Sequence, residues 1–339
     1  MPTAYLSPFV NETNDYINRV KAIIGECGYE VQPLSFRTLL SPKVLGLWRK
    51  ENVVLVHWLE SRVFSEGRSG ARVRPAGLLQ FAIYAMVLSM MRARLVYFVH
   101  DHAVHDLTGW RRSFSVRLIW LLRKLADVRV VHDPSFCDTY QATYLPHPLY
   151  QERNAMSSAP RQSTGSLRAG ILGAIRPYKR IEYIIDVWPE GAELIIRGRS
   201  DPAYEALLRE RIAKRGDSVN IQLVTGFMSR EEFEHEMSQL DALVLPHADA
   251  SALVSGAFFE AIGATPLVIA RSTPFIRWAA RQFSGVMPYE REDELAELLR
   301  AAETQKAEHR AQLPITADRA NSEFGLAHCI TRYATALGH

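Results

Sequence analysis

The chain has 339 residues, 47% of them hydrophobic, which is too long for one ordinary domain and rich enough for two packed cores. Its net charge is only +3, so no nucleic-acid partner is expected; residues 1–150 hold 18 Lys and Arg against 12 Asp and Glu, leaving −3 for the remainder. Cys27, Cys137 and Cys329 are too few and too scattered for a disulfide framework or a structural zinc site, and imply a reducing compartment.

The opening segment MPTAYLSPFVNETND lacks the basic region and long apolar core of a signal peptide, so no export is expected. The run VVLVHW, residues 53–58, predicts a strand buried on both faces, as in parallel sheets. Many arginines lie between Arg62 and Lys124, interleaved with apolar segments, a pattern that suits either an anionic membrane surface or acceptor, or a solvated face. Within this region AGLLQFAIYAMVLSMM, residues 76–91, falls short of the roughly 20 residues needed to span a bilayer. It reads as a buried or interfacial helix, with burial preferred.

The stretch YFVHDHAVHD, residues 97–106, ends a second predicted strand and then sets His100, Asp101, His102, His105 and Asp106 close together. A third strand, VRVVHD, covers residues 128–133. Three predicted strands therefore end in His57, His100 and His132, followed by Trp58, Asp101 and Asp133, and in a doubly wound sheet ligands bind at that carboxyl edge. HDHAVHD offers His-x-His and a third His, yet Val104 occupies the acidic position of the metallo-β-lactamase pattern. An acid/base loop, with one group tuned by its neighbours, is preferred over a metal site, and a structural polar loop is the alternative.

Residues 151–166, QERNAMSSAPRQSTGS, are polar and without periodicity, the mark of a linker. Beyond it the strand pattern repeats in RAGILGAI, ELIIRG, NIQLV, ALVLPH and PLVIA. Two doubly wound α/β domains facing a central cleft are predicted: 1–150, then 167–320 after the linker, with a C-terminal helix over 321–339 that packs back on the first domain. In GILGAIRPYKRIEYIID, residues 170–186, a turn at Gly173 is followed by Arg176 and Lys179 at a helix start, where amides and dipole favour an anion. The segment LPHADASALVSGAFFEAIGATPLVIA, residues 245–270, brings His247, Ser255 and Gly256 before a helix whose Glu260 can accept hydrogen bonds from a vicinal diol such as a ribose.

These motifs, with GFMSREEF at residues 226–233, make the sequence similar to GT-B fold glycosyltransferases of the large family 4 group. VHWLE and HDHAVHDLTG resemble that group's HWPE and HD…TG segments. The resemblance implies that Arg176 and Lys179 hold a donor diphosphate, Glu260 the ribose, and the backbone around Gly226 and Phe227 the base. His100 and Asp101 would face the transferred sugar. Family 4 enzymes often carry Arg directly after the turn glycine, where this chain has Ala174, and an acid eight residues before the helix Glu, where it has Ala252. The small size, basic first domain and missing acid resemble xanthan-type exopolysaccharide β-mannosyltransferases.

The expected function is transfer of a sugar from a nucleoside diphosphate sugar, with GDP-mannose as the candidate, to a saccharide acceptor whose linkage to a lipid is implied by the xanthan-type resemblance. No metal and no cofactor are expected, the nucleotide sugar being a substrate. The place implied is the cytoplasm, at the inner face of the cell membrane, in bacterial polysaccharide assembly. The alternatives are a nucleotide-sugar epimerase or hydrolase on the same fold, and a non-catalytic nucleotide-binding subunit. If the reaction inverts the anomeric centre, Asp101 is the expected base, oriented by His100 or His102, with Asp106 or Glu60 next in line.

Overall fold

A computed structural model describes residues 1–11, 15–65, 72–153, 165–246 and 251–338. The chain divides into two compact units. The first takes the described residues of 1–150, 251–254 and 323–338, and the second those of 151–246 and 255–322.

In the first unit the continuous β-branched runs form β1 (Thr3–Ser7), β2 (Glu30–Pro33), β3 (Val53–His57), β6 (Arg94–Phe98), β7 (Val128–Val131) and β8 (Thr143–Tyr144). All pair in parallel, in the order β2-β1-β3-β6-β7-β8. A short hairpin, β4 (Phe64–Ser65) with β5 (Arg72–Val73), stands outside this sheet. The order reverses between β1 and β3, as in flavodoxin-like sheets. The crossovers from β3 to β6 and from β6 to β7 step in one direction, so right-handed connections carry the helices Pro75–Met90 and Gly109–Leu125 on one sheet face. The oppositely directed β1-to-β2 crossover carries the helix Tyr16–Glu26, which packs against the helix Leu326–Leu337.

The helix Pro75–Met90 departs from the burial preferred on sequence. Its buried side is Gly77, Phe81, Tyr84 and Leu88, while Leu79, Met86 and Met90 on the other side are exposed. The physical reason is the two-layer packing: a helix laid on a sheet can bury one face only, however apolar the other. No helix among the described residues is long and apolar enough to cross a membrane.

The second unit contains β9 (Arg168–Leu172), β10 (Glu193–Gly198), β11 (Asn220–Thr225), β12 (Ala242–Leu245), β13 (Leu267–Arg271) and β14 (Val286–Tyr289). They also pair in parallel, in the order β11-β10-β9-β12-β13-β14, the 3-2-1-4-5-6 order of dinucleotide-binding sheets. The order reverses between β9 and β12, so the segments leaving those two strands flank the switch point where ligands bind in such sheets. Arg153 belongs to this unit rather than to a free connection: its guanidinium donates to the carbonyls of Phe259, Glu260 and Ile262 at the end of the helix Gly256–Ala261. Those are orphan carbonyls of a helix C-terminus, where a cation is favoured.

Candidate active site

The edge of the first sheet follows from its register. His57 lies opposite Phe98, and Phe98 opposite Val130, so His57, His100 and His132 emerge side by side. His57 Nδ1 and His100 Nε2 are 2.9 Å apart, and the rings of His100 and His132 are centred 5.5 Å apart. His147 and Tyr16 complete the cluster, with the Tyr16 ring edge-on to His57, His100 and His132. All four imidazoles are buried. Burial holds His57, His100 and His147 well below the ordinary histidine range and His132 down at about 4, with the neighbouring imidazoles adding to the fall for His57, His100 and His147. The cluster is therefore neutral at pH 7.

Neutral rings have defined tautomers. A carbonyl oxygen only accepts, so His132 Nδ1–H donates to Leu145 O at 2.7 Å and its Nε2 accepts from the Tyr16 hydroxyl at 2.7 Å. His57 Nε2 is buried and has no hydrogen-bond partner among the described residues. An unpaired acceptor is the less costly orphan. His57 Nδ1–H then donates to His100 Nε2, which leaves the proton of His100 on Nδ1. Trp58, whose backbone adopts φ 48°, stacks on the His100 ring at 4.1 Å. A bulky residue in that region is strained, and here the strain holds an aromatic plate over the imidazole.

Asp101 is buried, and its backbone pairs with Ala252 in an isolated antiparallel bridge. The bridge is fixed by His102 N–H to Ser251 O at 2.6 Å and Leu253 N–H to His100 O at 3.1 Å. The carboxylate is partnered by His105, Nε2 to Oδ1 3.1 Å. This corrects the expected orientation by His100 or His102: the first turns to His57 and the second to the Tyr140 hydroxyl. The reason is alternation along extended backbone, which sends successive side chains apart, whereas His105 returns one turn later. The absent acid at Ala252 also has a local meaning, because a carboxylate there would lie across an antiparallel pair from Asp101, where like charges repel.

Neither fallback base is equivalent. Glu60 is buried, accepts from the Tyr97 hydroxyl at 3.1 Å, and is pushed up to about 7, chiefly by burial and further by the charge of Asp101. Asp106 sits exposed in a left-handed turn at φ 58°. Among the described residues no three His, Cys, Asp or Glu are grouped so as to hold a metal ion.

The edge of the second sheet is built of backbone and cations instead. Gly173, at φ 93°, ends β9 and donates its N–H to Arg197 O; Gly226, at φ 152°, ends β11 and donates to Gly198 O. Between them Gly198, at φ 153°, lies so close to Gly173 that a Cβ would fall 1.8 Å from its carbonyl oxygen. The three strand ends thus meet through glycines: Gly198 lets the Gly173 backbone approach closely, and nothing lies within 4 Å of where a Cβ would stand at Gly173 or Gly226. Gly198 does not stand out in the sequence, because its partner Gly173 follows the neighbouring strand and no local spacing shows it.

Arg176 precedes a single 3-10 turn, Pro177–Lys179, and Arg180 at φ 52° breaks the chain before the helix Ile181–Val187. The two cations therefore stand on a turn before the helix rather than in its first turn. Arg176 is exposed, whereas Lys179 is 6% exposed and has no ion-pair or hydrogen-bond partner among the described residues. Burial, and then the charge of Arg176, pull the Lys179 ammonium down to about 8. Phe227 is 71% exposed with the Arg199 guanidinium 4.9 Å over its ring, an open aromatic surface beside a cation.

Ser255 stands at the N-cap of the helix Gly256–Ala261, which runs from the segment leaving β12. Glu260 on that helix is mostly buried, and its Oε1 accepts from Arg230 Nη1 at 2.7 Å. Arg230, Glu260, Arg153 and Phe233 line a cavity of about 220 Å³. His247 lies outside the described residues. The structure thus gathers Gly173 and Gly226 at adjoining strand ends, Arg176 with Lys179, and His100 with Asp101, while Glu260 arrives already paired.

No family model matches the chain. It is 25% identical over 246 residues to a GDP-mannose:glycolipid 4-beta-D-mannosyltransferase of Xanthomonas campestris pv. campestris, covering 69% of this chain and 64% of that protein. The chain thus matches slightly less than two thirds of this relative's length. Among solved structures, the Anabaena protein HepE in complex with UDP and glucose aligns over 99% of both chains with a TM-score of 0.65 at 14% identity. Sucrose-phosphate synthase from Thermosynechococcus elongatus aligns over 99% of this chain and 98% of its own, with a TM-score of 0.65 at 14% identity. The fold, two parallel-sheet α/β units, is that of GT-B glycosyltransferases.

Proposed function

We propose that the chain transfers a sugar from a nucleoside diphosphate sugar to an acceptor hydroxyl, the second unit binding the donor and the first the acceptor. The observation that carries this reading is Lys179, a buried ammonium without a partner among the described residues, beside Arg176 at a sheet switch point. A buried cation left unpaired is costly, and a diphosphate would supply its counter-ion. As the glycosidic bond breaks, negative charge grows on the leaving diphosphate, so Arg176 and Lys179 stabilise the transition state more than the ground state. That positive charge takes the place of a divalent ion, and undiminished turnover in a chelator is the corresponding test.

Ser255, Gly256 and Glu260 would hold the nucleoside, with Arg230 fixing Glu260 and Phe227 offering a face for the base. Asp101 would receive the acceptor proton, held by His105, and His100 would donate from Nδ1 to the sugar. The Xanthomonas relative supports mannose as the sugar, GDP as the nucleotide and a glycolipid as the acceptor. Thermal unfolding with UDP, GDP and ADP sugars tests the donor: at a hundredfold excess over Kd the matching one should add about 2.7 kcal/mol of stability. Radiolabel from that donor should then enter a lipid extract. Free or epimerised sugar in place of a lipid product would defeat the transferase reading, and no stabilisation by any nucleotide sugar would defeat the donor site.

A further inference from the structure

Residues 35–125 hold 15 Lys and Arg against 5 Asp and Glu, and two of those acids, Glu60 and Asp101, are buried. The helices Pro75–Met90 and Gly109–Leu125 belong to this stretch and pack against each other on one sheet face. The first has no charged residue. Its outer stripe is Leu79, Ala82, Met86 and Met90, at helical spacing, all exposed. Exposed cations stand at both ends of it, Arg72 and Arg74 before and Arg92 after. The neighbouring helix presents Trp110, Ser113, Arg117, Trp120 and Lys124 at the same kind of spacing, again exposed, with the Lys124 ammonium 5.7 Å over the Trp120 ring.

We infer that this face docks on the surface of an anionic lipid bilayer. An uncharged apolar stripe bordered by arginines, beside a second stripe of tryptophan and cations, matches the layering of a membrane interface: acyl chains, aromatic boundary, phosphate headgroups. A second copy of the chain fits poorly, since a self-paired face would set this excess of cations against itself. A polyanion such as nucleic acid would find no donors along the apolar stripe. The inference stands apart from sugar transfer, and binding of nucleotide sugars serves as its independent control.

The experiment is sedimentation of the full chain with phosphatidylcholine vesicles, with and without phosphatidylglycerol, at low and high salt. Binding is expected to the anionic vesicles at low salt and to weaken as salt screens the headgroups over roughly 8 to 10 Å. Met86→Glu with Trp120→Glu should lower the partition coefficient by about tenfold or more, through lost apolar burial and added repulsion. Arg117→Glu with Lys124→Glu, which keeps the apolar stripe, should abolish the preference for anionic lipid. All four positions are exposed, so unfolding midpoints and nucleotide-sugar binding should stay as in the parent. Absence of binding at low salt, binding indifferent to both pairs of substitutions, or a dimer that the first pair converts to monomer in sedimentation velocity would each overturn the inference.

Discussion

The carboxyl edges of the two sheets share an architecture and use opposite chemistry. In the first unit the edge is filled with side chains: four neutral imidazoles, Tyr16 and Trp58 packed ring against ring, with Asp101 at the margin. In the second the edge is emptied of them by Gly173, Gly198 and Gly226, and the charge comes from Arg176 and the unpaired Lys179. An edge of glycine and cation can accept an anion that brings its own bulk and charge. An edge of locked, neutral imidazoles holds one carboxylate and one ring proton in place and brings no cation of its own to a diphosphate. Under the proposed function, that difference is why the donor is given to the second unit and the acceptor to the first.

The largest effect should come from the margin of the first edge. Asp101→Asn should lower kcat by about two to four orders of magnitude while leaving donor binding intact, if the reaction inverts and needs a base. Product configuration by NMR read beside kcat decides it, and an inverted product made at full rate by the variant would break the assignment.

Acidification should then separate the edges by stability. His132 titrates near 4 when folded and at 6.5 when unfolded, so the unfolded chain takes the proton first as pH falls below 6.5. Stability is whole above that pH and drains toward pH 4, by on the order of 3 kcal/mol for His132 alone. Glu60 acts in the opposite sense, since its folded pKa of about 7 stands above its unfolded 4.5 and it gains stability as pH falls between them. Four depressed histidines outweigh one raised glutamate, so the urea midpoint should drop between pH 7.5 and 4.5, and drop further in Glu60→Gln. A midpoint that holds steady would mean the cluster is not neutral in the fold.

Lys179→Met should split stability from function in the second unit. The folded ammonium is held near 8 against 10.5 unfolded, so at pH 7 its burial as a cation opposes folding by on the order of 3 kcal/mol, a penalty that fades as pH rises from 8 to 10.5. The variant is expected to unfold later than the parent and to use donor less well, by about 1.5 to 3 kcal/mol in kcat/KM. Equal stability together with equal donor use would remove Lys179 from the site.

Much of this was legible in the sequence, and the limits have a physical pattern. Continuous apolar runs gave the parallel strands, and the dipeptides at their ends gave His57, His100, His132 and Asp101, because register follows from where buried runs stop. Gly173, Arg176 and Lys179 were found because a turn and its cations are local. What stayed hidden is what distance in sequence hides: Gly198 against Gly173, Arg153 under the helix of Glu260, and Arg230 on its carboxylate. The partner of Asp101 was misread for a different reason, since adjacency in sequence is a poor guide to contact in extended backbone.

The smallest expected effect concerns that last pair in the second unit. Glu260→Gln should raise the donor KM more than it lowers kcat, because a ribose contact is made alike in ground and transition states. The glutamine would also release Arg230, so Arg230→Gln is the companion measurement. A KM unchanged in both would leave the carboxylate with a structural task only.

The first unit is discontinuous along the chain. Residues 251–253 complete the backbone pairing of residues 100–102, and Phe324 O accepts from Leu149 N–H, with the helix Leu326–Leu337 lying on Tyr16–Glu26. During synthesis the half made first is therefore finished last: its sheet can collapse early, yet its Asp101 margin waits for residues made partway through the second unit, and one helical layer for a segment made after the whole of it. A fragment ending at residue 150 should accordingly be a poor folder with exposed apolar surface, and the nascent protein should spend its longest vulnerable interval with the histidine edge still open to water.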